Sequence, residues 1–158
     1  MTLRLFVYGT LRSDLPARLV PPAASAARAM LRRQGRLEGP ASLPGRLVVP
    51  AWYPGLVEDS PDASVRGQVW RLSGPAILSR LDWYEGQDYV RRMRRIRLER
   101  VAAHRAAVAR ITGSDSGRLQ VAHVYLYVGE AGGLPVIPTG DFVDWLAKPR
   151  DPRDDRTP

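Results

Sequence analysis

The pattern of apolar and polar positions along this chain predicts more strands than helices. Leu3–Tyr8 and Leu119–Val128 carry apolar residues at both odd and even positions, which is typical of strands covered on both faces. Val65–Leu72 alternates as a half-buried strand does, and Tyr89–Val101 is strand-like although crowded with arginine. Gly35–Val49 has apolar residues between glycines and prolines, which favours two short strands or one bent strand. A sheet is therefore the expected framework.

Three shorter segments predict helices. Ala23–Gln34 is rich in alanine, Pro75–Gly86 carries apolar residues at helical spacing, and Thr139–Lys148 predicts a short helix with Thr139 as its N-cap. These helices do not alternate regularly with the strands. The order therefore favours a single α+β domain over residues 1–148, with a curled mixed β-sheet or small β-barrel and a few short helices, rather than a doubly wound fold.

Three stretches depart from this simple pattern. The apolar parity shifts between Met93 and Ile96, which predicts a β-bulge. Ala102–Gly117 is ambiguous and is interpreted as a hairpin extension. Residues 149–158 are charged and contain proline, and we expect them to form a disordered tail.

The composition narrows the class of protein. The 158 residues suit one domain with its own core, and no apolar run is long enough for a membrane helix. The first residues lack the pattern of a secretory leader, so a cytoplasmic protein is expected. Without cysteine there is no disulfide, thiol nucleophile or cysteine-held zinc, and His104 and His123 are the only histidines. We expect neither a bound metal nor a cofactor.

The net charge of the chain suggests an alternative class of protein. The formal net charge is +8, and all but one of the 24 cationic residues are arginine, a balance found in nucleic-acid-binding modules. The densest run extends from Arg91 to Arg100. In a strand these side chains alternate between two faces, and no aromatic residue lies among them as a stacking platform. The run is interpreted as a solvated strand that discourages edge pairing, which argues against nucleic acid as the partner.

Candidate chemistry begins where the first strand ends. Gly9-Thr10-Leu11 follows that strand directly, and loops of this kind turn backbone N–H groups toward one point that can hold a carboxylate or phosphate. The alternative is a tight turn without a ligand. The glycine spacing of a P-loop and that of a dinucleotide loop are both missing.

Glu85 is the candidate acid or base. It ends the predicted second helix among aromatic residues, and both a helix C-terminus and apolar surroundings raise the pKa of a carboxyl group. The alternative is a surface glutamate, and Asp82, one turn earlier, is the competing carboxylate. The Tyr89 hydroxyl is placed to orient Glu85 or a substrate, unless its ring only packs across strands. Tyr53, within Trp52–Gly55, is a pocket residue or part of a turn.

Five motifs occur in order along roughly residues 3–146. They are Phe6-Val7-Tyr8-Gly9-Thr10-Leu11-Arg12, Trp52-Tyr53-Pro54-Gly55-Leu56-Val57, Arg66-Gly67-Gln68-Val69-Trp70, Leu81-Asp82-Trp83-Tyr84-Glu85-Gly86 with Tyr89 and Arg91, and Ile137-Pro138-Thr139-Gly140-Asp141-Phe142. As an ordered set they resemble the γ-glutamylcyclotransferase-like family, also called AIG2-like or butirosin-biosynthesis-like. The resemblance implies a small mixed domain whose curled or barrel-like sheet holds a cavity.

The resemblance also implies an activity, the cyclisation of a γ-glutamyl amine or peptide to 5-oxoproline with release of the amine. In the family a Tyr-Gly-Ser/Thr-Leu loop binds the α-carboxylate end of the γ-glutamyl group, and the catalytic residue is a glutamate that corresponds to Glu85. The loop carries over to Tyr8, Gly9, Thr10 and Leu11. Tyr53 and Tyr89 are then expected to line the pocket. A binding member without turnover, or a basic nucleic-acid-binding module, remains the alternative.

Overall fold

Two sheets and three helices make up the part of the chain that the computed structural model describes, residues 2–99 and 117–148. The strands are β1 (Arg4–Val7), β2 (Gly35–Pro44), β3 (Arg46–Val48), β4 (Gly55–Val57), β5 (Ser64–Leu72), β6 (Tyr89–Leu98), β7 (Arg118–Tyr127) and β8 (Val136–Ile137). The helices are α1 (Pro22–Gln34), α2 (Ala76–Glu85) and α3 (Phe142–Ala147), and Ala17–Leu19 forms a 3₁₀ turn.

Five strands close into a barrel in the order β1-β5-β2-β6-β7. The pairing of β1 with β7 is parallel, and the other four barrel pairings are antiparallel. The remaining strands form a small antiparallel sheet in the order β4-β3-β8. The expected α+β domain with a small mixed barrel and a few short helices is confirmed.

Strand β1 is covered on both faces, as the consecutive apolar residues Leu5, Phe6 and Val7 predict. Phe6 and Tyr8 belong to the larger apolar cluster, which the barrel strands share with β3, β4, β8 and α3. Leu5 and Val7 point the opposite way, into a second cluster built with the apolar stripes of α1 and α2. Because consecutive side chains of a strand alternate between faces, β1 joins the two cores and its C-terminal end is held firmly.

The segment between residues 35 and 49 is two strands, one of the two arrangements that its glycines and prolines favour. Strand β2 pairs within the barrel, whereas β3 leaves it for the second sheet. Gly45 joins them with φ of 142°, and a Cβ there would lie 2.9 Å from the Val57 carbonyl oxygen. A side chain would therefore clash at the point where the chain changes sheets.

The predicted bulge between Met93 and Ile96 is wrong. Strand β6 pairs with β7 in one unbroken register along its whole length. The apolar parity shifts for another reason: Met93 and Ile96 lie on opposite faces of one regular strand, and Ile96 is buried in the larger apolar cluster whereas Met93 belongs to a stretch of β6 that is exposed or half-buried. Arginine is tolerated there, and Arg94 pairs with Glu58 on the surface.

The predicted cap of the last helix is also wrong. Asp141, and not Thr139, is the N-cap of α3, and its carboxylate accepts hydrogen bonds from the N–H groups of Val143 at 3.1 Å and Asp144 at 3.2 Å. Gly140 turns the chain with φ of 65° after Thr139. Asp141 is therefore the residue that immediately precedes the first helical turn, where a cap must lie.

Two expectations fall outside the described residues. They are the hairpin extension of Ala102–Gly117, apart from its final glycine, and the tail of residues 149–158. Where the structure does describe the chain, none of its helices has both the length and the apolar character needed to cross a membrane.

Candidate active site

A cavity of about 530 Å³ lies beyond the end of β1. Gly9, Thr10 and Leu11 form part of its wall, and Glu85, the last residue of α2, forms another part. The wall is otherwise largely aromatic, with contributions from Tyr8, Trp52, Tyr53, Trp83, Tyr89 and Tyr125. The structure thus brings the loop and the candidate acid or base, which are more than 70 residues apart in sequence, to one hollow.

Glu85 is the one carboxylate among the lining residues that the structure describes. Burial raises its pKa from 4.5 to about 7, and among the described residues no cation or hydrogen-bond donor acts in the opposite direction. The carboxyl group therefore exchanges a proton near neutral pH. Such a perturbed group within a cavity is the expected mark of an acid or base site.

Asp82 has the opposite surroundings, although it lies one turn before Glu85 on the same helix. Its oxygens accept hydrogen bonds from the Arg91 guanidinium at 2.7 and 2.9 Å and from the Tyr125 hydroxyl at 2.8 Å. The hydrogen bond from Arg91 is the main reason that the pKa of Asp82 is lowered. Asp82 therefore stays ionised and fixes the ring of Tyr125, and of the two carboxylates Glu85 is suited to proton transfer.

The hydroxyls of Tyr8 and Tyr89, at the wall of the cavity, are engaged in structural hydrogen bonds. The Tyr8 hydroxyl donates to the Tyr125 carbonyl at 2.7 Å and accepts from the Leu56 N–H at 3.3 Å. The Tyr89 hydroxyl donates to the Pro54 carbonyl at 2.8 Å, so it does not bond to Glu85. Burial raises the pKa of both phenols, and the two rings remain neutral walls of the cavity.

Tyr53 reaches the cavity as part of an aromatic group. Its ring lies 6.1 Å from the ring of Tyr89, measured between centroids, and 4.9 Å edge-on from that of Trp52. This places Tyr53 on the wall, as the sequence predicts for a pocket residue. The interpretation of Trp52–Gly55 as a turn also fits, because Trp52, Tyr53 and Pro54 have no regular structure and Gly55 begins β4.

The loop after β1 presents donors without protein partners. No described residue accepts a hydrogen bond from the N–H groups of Gly9, Thr10 or Leu11. Gly9 leaves room for Pro54, since a Cβ there would come within 2.9 Å of the proline ring. The Thr10 hydroxyl and the Tyr84 hydroxyl lie 3.0 Å apart and share a hydrogen bond. That bond joins the loop to the residue next to Glu85.

Two buried arginines, Arg12 and Arg28, support the loop from behind, and the sequence interpretation assigned a role to neither. Arg12 pairs with Asp14 and, through a 2.7 Å bond, with Asp141, which ties the loop to the start of α3. Arg28 donates to the carbonyl oxygens of Thr10 and Arg12. The available signal for Arg28 was its position at helical spacing within the buried stripe of α1, where an unpaired arginine is out of place.

The barrel has five strands in a mixed sheet, and its first strand leads into a Gly-Thr-Leu loop at the wall of a cavity. The same cavity is lined by a glutamate whose pKa is raised. Together these features define the γ-glutamylcyclotransferase-like class. A family model described as gamma-glutamyl cyclotransferase, AIG2-like, matches residues 5–144. The chain belongs to this family, as its five ordered motifs indicate. No curated protein matches the chain.

Solved structures show the same fold. The crystal structure of YkqA from Bacillus subtilis is 22% identical with a TM-score of 0.58 over 90% of this chain, which spans 40% of the YkqA chain. An AIG2-like protein from Mus musculus is 17% identical with a TM-score of 0.61, covering 98% of this chain and 99% of its own. A solved gamma-glutamyl cyclotransferase is 18% identical with a TM-score of 0.54, covering 87% and 73%.

Proposed function

We propose that this protein cyclises a γ-glutamyl amine or peptide to 5-oxoproline and releases the amine. One observation carries the proposal: a carboxyl group with a pKa of about 7 shares a cavity with three backbone N–H groups, and none of these groups has a hydrogen-bond partner among residues 2–99 and 117–148. The N–H groups suit the α-carboxylate of the substrate. The carboxyl group suits the proton transfers that the adjacent α-ammonium requires. No cofactor is needed for this chemistry.

The reaction balances with Glu85 as a proton carrier. Its carboxylate accepts a proton from the substrate ammonium, and the amine nitrogen then attacks the γ-carbonyl carbon and forms the ring C–N bond. The bond to the departing nitrogen breaks as protonated Glu85 gives that nitrogen a proton. The attacking nitrogen loses two protons in all and the departing amine gains two, so Glu85 ends as it began.

The remaining residues hold the substrate in a folded conformer. Both reacting groups belong to one molecule, so fixing the α-carboxylate at Gly9–Leu11 and the γ-carbonyl near Glu85 brings nitrogen and carbon together. Tyr8, Tyr53 and Tyr89 would bound the glutamyl moiety. Because these walls are largely aromatic, they also limit the access of water as a competing nucleophile.

We expect 5-oxoproline to form when the protein is incubated with a panel of γ-glutamyl compounds: simple amines, the ε-amine of lysine, glutathione and γ-glutamyl dipeptides. Chromatography with mass detection would measure it. The same compounds with an acetylated α-amine serve as controls, since they lack the attacking nitrogen and should give no product.

Two other results would replace the proposal. Saturable binding of these compounds without 5-oxoproline would indicate a binding protein. Salt-sensitive association with RNA or DNA that is lost when Arg94 and Arg95 are replaced, with no turnover, would indicate a nucleic-acid-binding module.

Two exposed indoles at the cavity point to the kind of amine that leaves. Trp52 and Trp83 line the cavity yet are 54% and 88% exposed, so they lie where the substrate would extend outward. We expect γ-glutamyl-phenethylamine to have a higher kcat/KM than γ-glutamyl-ethylamine. Trp83→Ala should reduce this preference roughly 3- to 10-fold, the size of an aromatic contact.

Steady-state kinetics on the two substrates measures this preference. The ethylamine substrate should be little affected by Trp83→Ala, and Leu119→Ala, which truncates another exposed apolar side chain, should change neither substrate. An equal loss on both substrates would remove Trp83 from selection of the amine.

A further inference from the structure

Arg28 is a buried cation beside the loop after β1. Arg28 is only 7% exposed, and it lies on α1, which packs against α2 and the outer face of β1. One guanidinium nitrogen donates to two backbone carbonyl oxygens, that of Thr10 at 3.1 Å and that of Arg12 at 2.6 Å. The guanidinium therefore lies directly behind the residues that line the cavity.

No carboxylate among residues 2–99 and 117–148 forms an ion pair with Arg28. Asp14, which acts on it from a longer distance, is already bound by the Arg12 guanidinium through bonds of 2.9 and 2.6 Å. A buried charge without a counterion is costly, and proteins usually pair such groups. An anion brought to the loop would supply the missing opposite charge.

The two carbonyl groups that accept hydrogen bonds from Arg28 belong to two peptide units, which differ in whether a described residue pairs their N–H group. The Arg12 carbonyl belongs to the peptide whose N–H is that of Ser13, and this N–H donates to the Gln68 side chain at 2.7 Å. The Thr10 carbonyl belongs to the peptide whose N–H is that of Leu11, which has no acceptor among the described residues. A cation on the carbonyl side polarises a peptide and strengthens its N–H as a donor.

We propose that Arg28 is the residue that makes this cavity select a carboxylate at the loop: its buried charge, transmitted through the Thr10–Leu11 peptide, holds the α-carboxylate of the substrate. The inference rests on the proposed function for the identity of that carboxylate. Arg28 touches the loop and not the substrate, so it is a positioning residue. Its effect should appear in binding and KM, whereas kcat depends on Glu85.

The test is a comparison of two ligands of nearly the same shape, 5-oxoproline and its carboxamide, in which an uncharged amide group replaces the carboxylate. Calorimetric titration of the whole chain is expected to show that the wild-type protein prefers the carboxylate. In Arg28→Met and Arg28→Gln this preference should fall about 10-fold or more, and in Arg28→Lys, which keeps the charge, it should be largely retained. Arg33→Met removes one exposed charge from the same helix and should leave the preference unchanged.

Each outcome decides the matter. If the role of Arg28 were purely structural, its substitution would lower the affinity for both ligands equally. An unchanged preference for the carboxylate in a folded Arg28→Met or Arg28→Gln protein overturns the inference. If neither neutral variant folds by circular dichroism, Arg28→Lys decides: preference kept within about 3-fold supports the inference, and preference lost with the charge present overturns it.

Turnover gives a separate readout. With γ-glutamyl substrates, Arg28→Gln should raise KM about 10-fold and leave kcat within about 3-fold. If no substrate yields 5-oxoproline but the carboxylate preference depends on Arg28, the proposed function fails and this inference stands. If substrates turn over and the preference ignores Arg28, the inference alone fails.

Discussion

Replacing Glu85 with glutamine is expected to lower kcat for 5-oxoproline release by roughly 10²- to 10⁴-fold, the usual contribution of a positioned acid or base. Glutamine has nearly the same shape and cannot carry the proton between the two nitrogens. KM should change little, because the loop after β1 and not Glu85 is proposed to hold the carboxylate. Quenched assays with mass detection of 5-oxoproline would measure the loss.

The matched control is Glu130→Gln, which removes an exposed glutamate charge that is not among the residues lining the cavity. It should retain wild-type turnover. In the wild-type protein, kcat/KM is expected to rise with pH through about 7, since the carboxylate form of Glu85 accepts the first proton. Unchanged turnover in Glu85→Gln, or a profile flat through neutrality, would contradict the assigned role.

The same substitution is expected to stabilise the protein at alkaline pH. The pKa of Glu85 is about 7 in the folded protein against 4.5 as its ordinary value, so the folded state binds this proton more tightly than the unfolded state. Stability from this group is therefore complete below about pH 4.5, falls as pH rises through 7, and is then lost. The difference corresponds to about 3 kcal/mol, at 1.36 kcal/mol for each pH unit.

Urea unfolding of both proteins at pH 5 and pH 8 measures this effect. The gain in the free energy of unfolding from Glu85→Gln should be larger at pH 8 by up to about 3 kcal/mol, while Glu130→Gln should show no such pH dependence. Equal gains at both pH values would mean that burial does not disfavour the charged form of the Glu85 carboxyl group in the folded protein. A catalytic group that destabilises its own fold is the usual cost of a perturbed pKa.

Local patterns in the sequence predicted the elements that carry the site. Leu5–Tyr8 is apolar at four successive positions because β1 lies between two cores, and a strand with both faces covered has no polar alternation to display. The helix that ends at Glu85 is recognisable from its apolar spacing and the glycine that follows it. Both signals arise within a few residues, so neither depends on distant partners.

The errors share a different origin. Met93 and Ile96 lie on opposite faces of a regular β6, and Ile96 is buried by a cluster whose other members are scattered along the chain. Arg28 was not selected as a site residue because an arginine within an alanine-rich helix resembles a surface residue. Its carbonyl partners belong to a loop on the other side of a proline-containing segment. Such partnerships have no local signature.

By itself, the sequence determined the strand-loop unit at Tyr8–Leu11, the helix that presents Glu85, and the order of motifs that marks the family. Only the tertiary structure decided which of two nearby carboxylates has its negative charge stabilised by hydrogen bonds. Asp82 and Glu85 are neighbours on one helix, but Arg91 and Tyr125 reach the first and no described donor reaches the second. A pKa depends on the charges, donors and solvent around a group, and the closing of the barrel sets these surroundings.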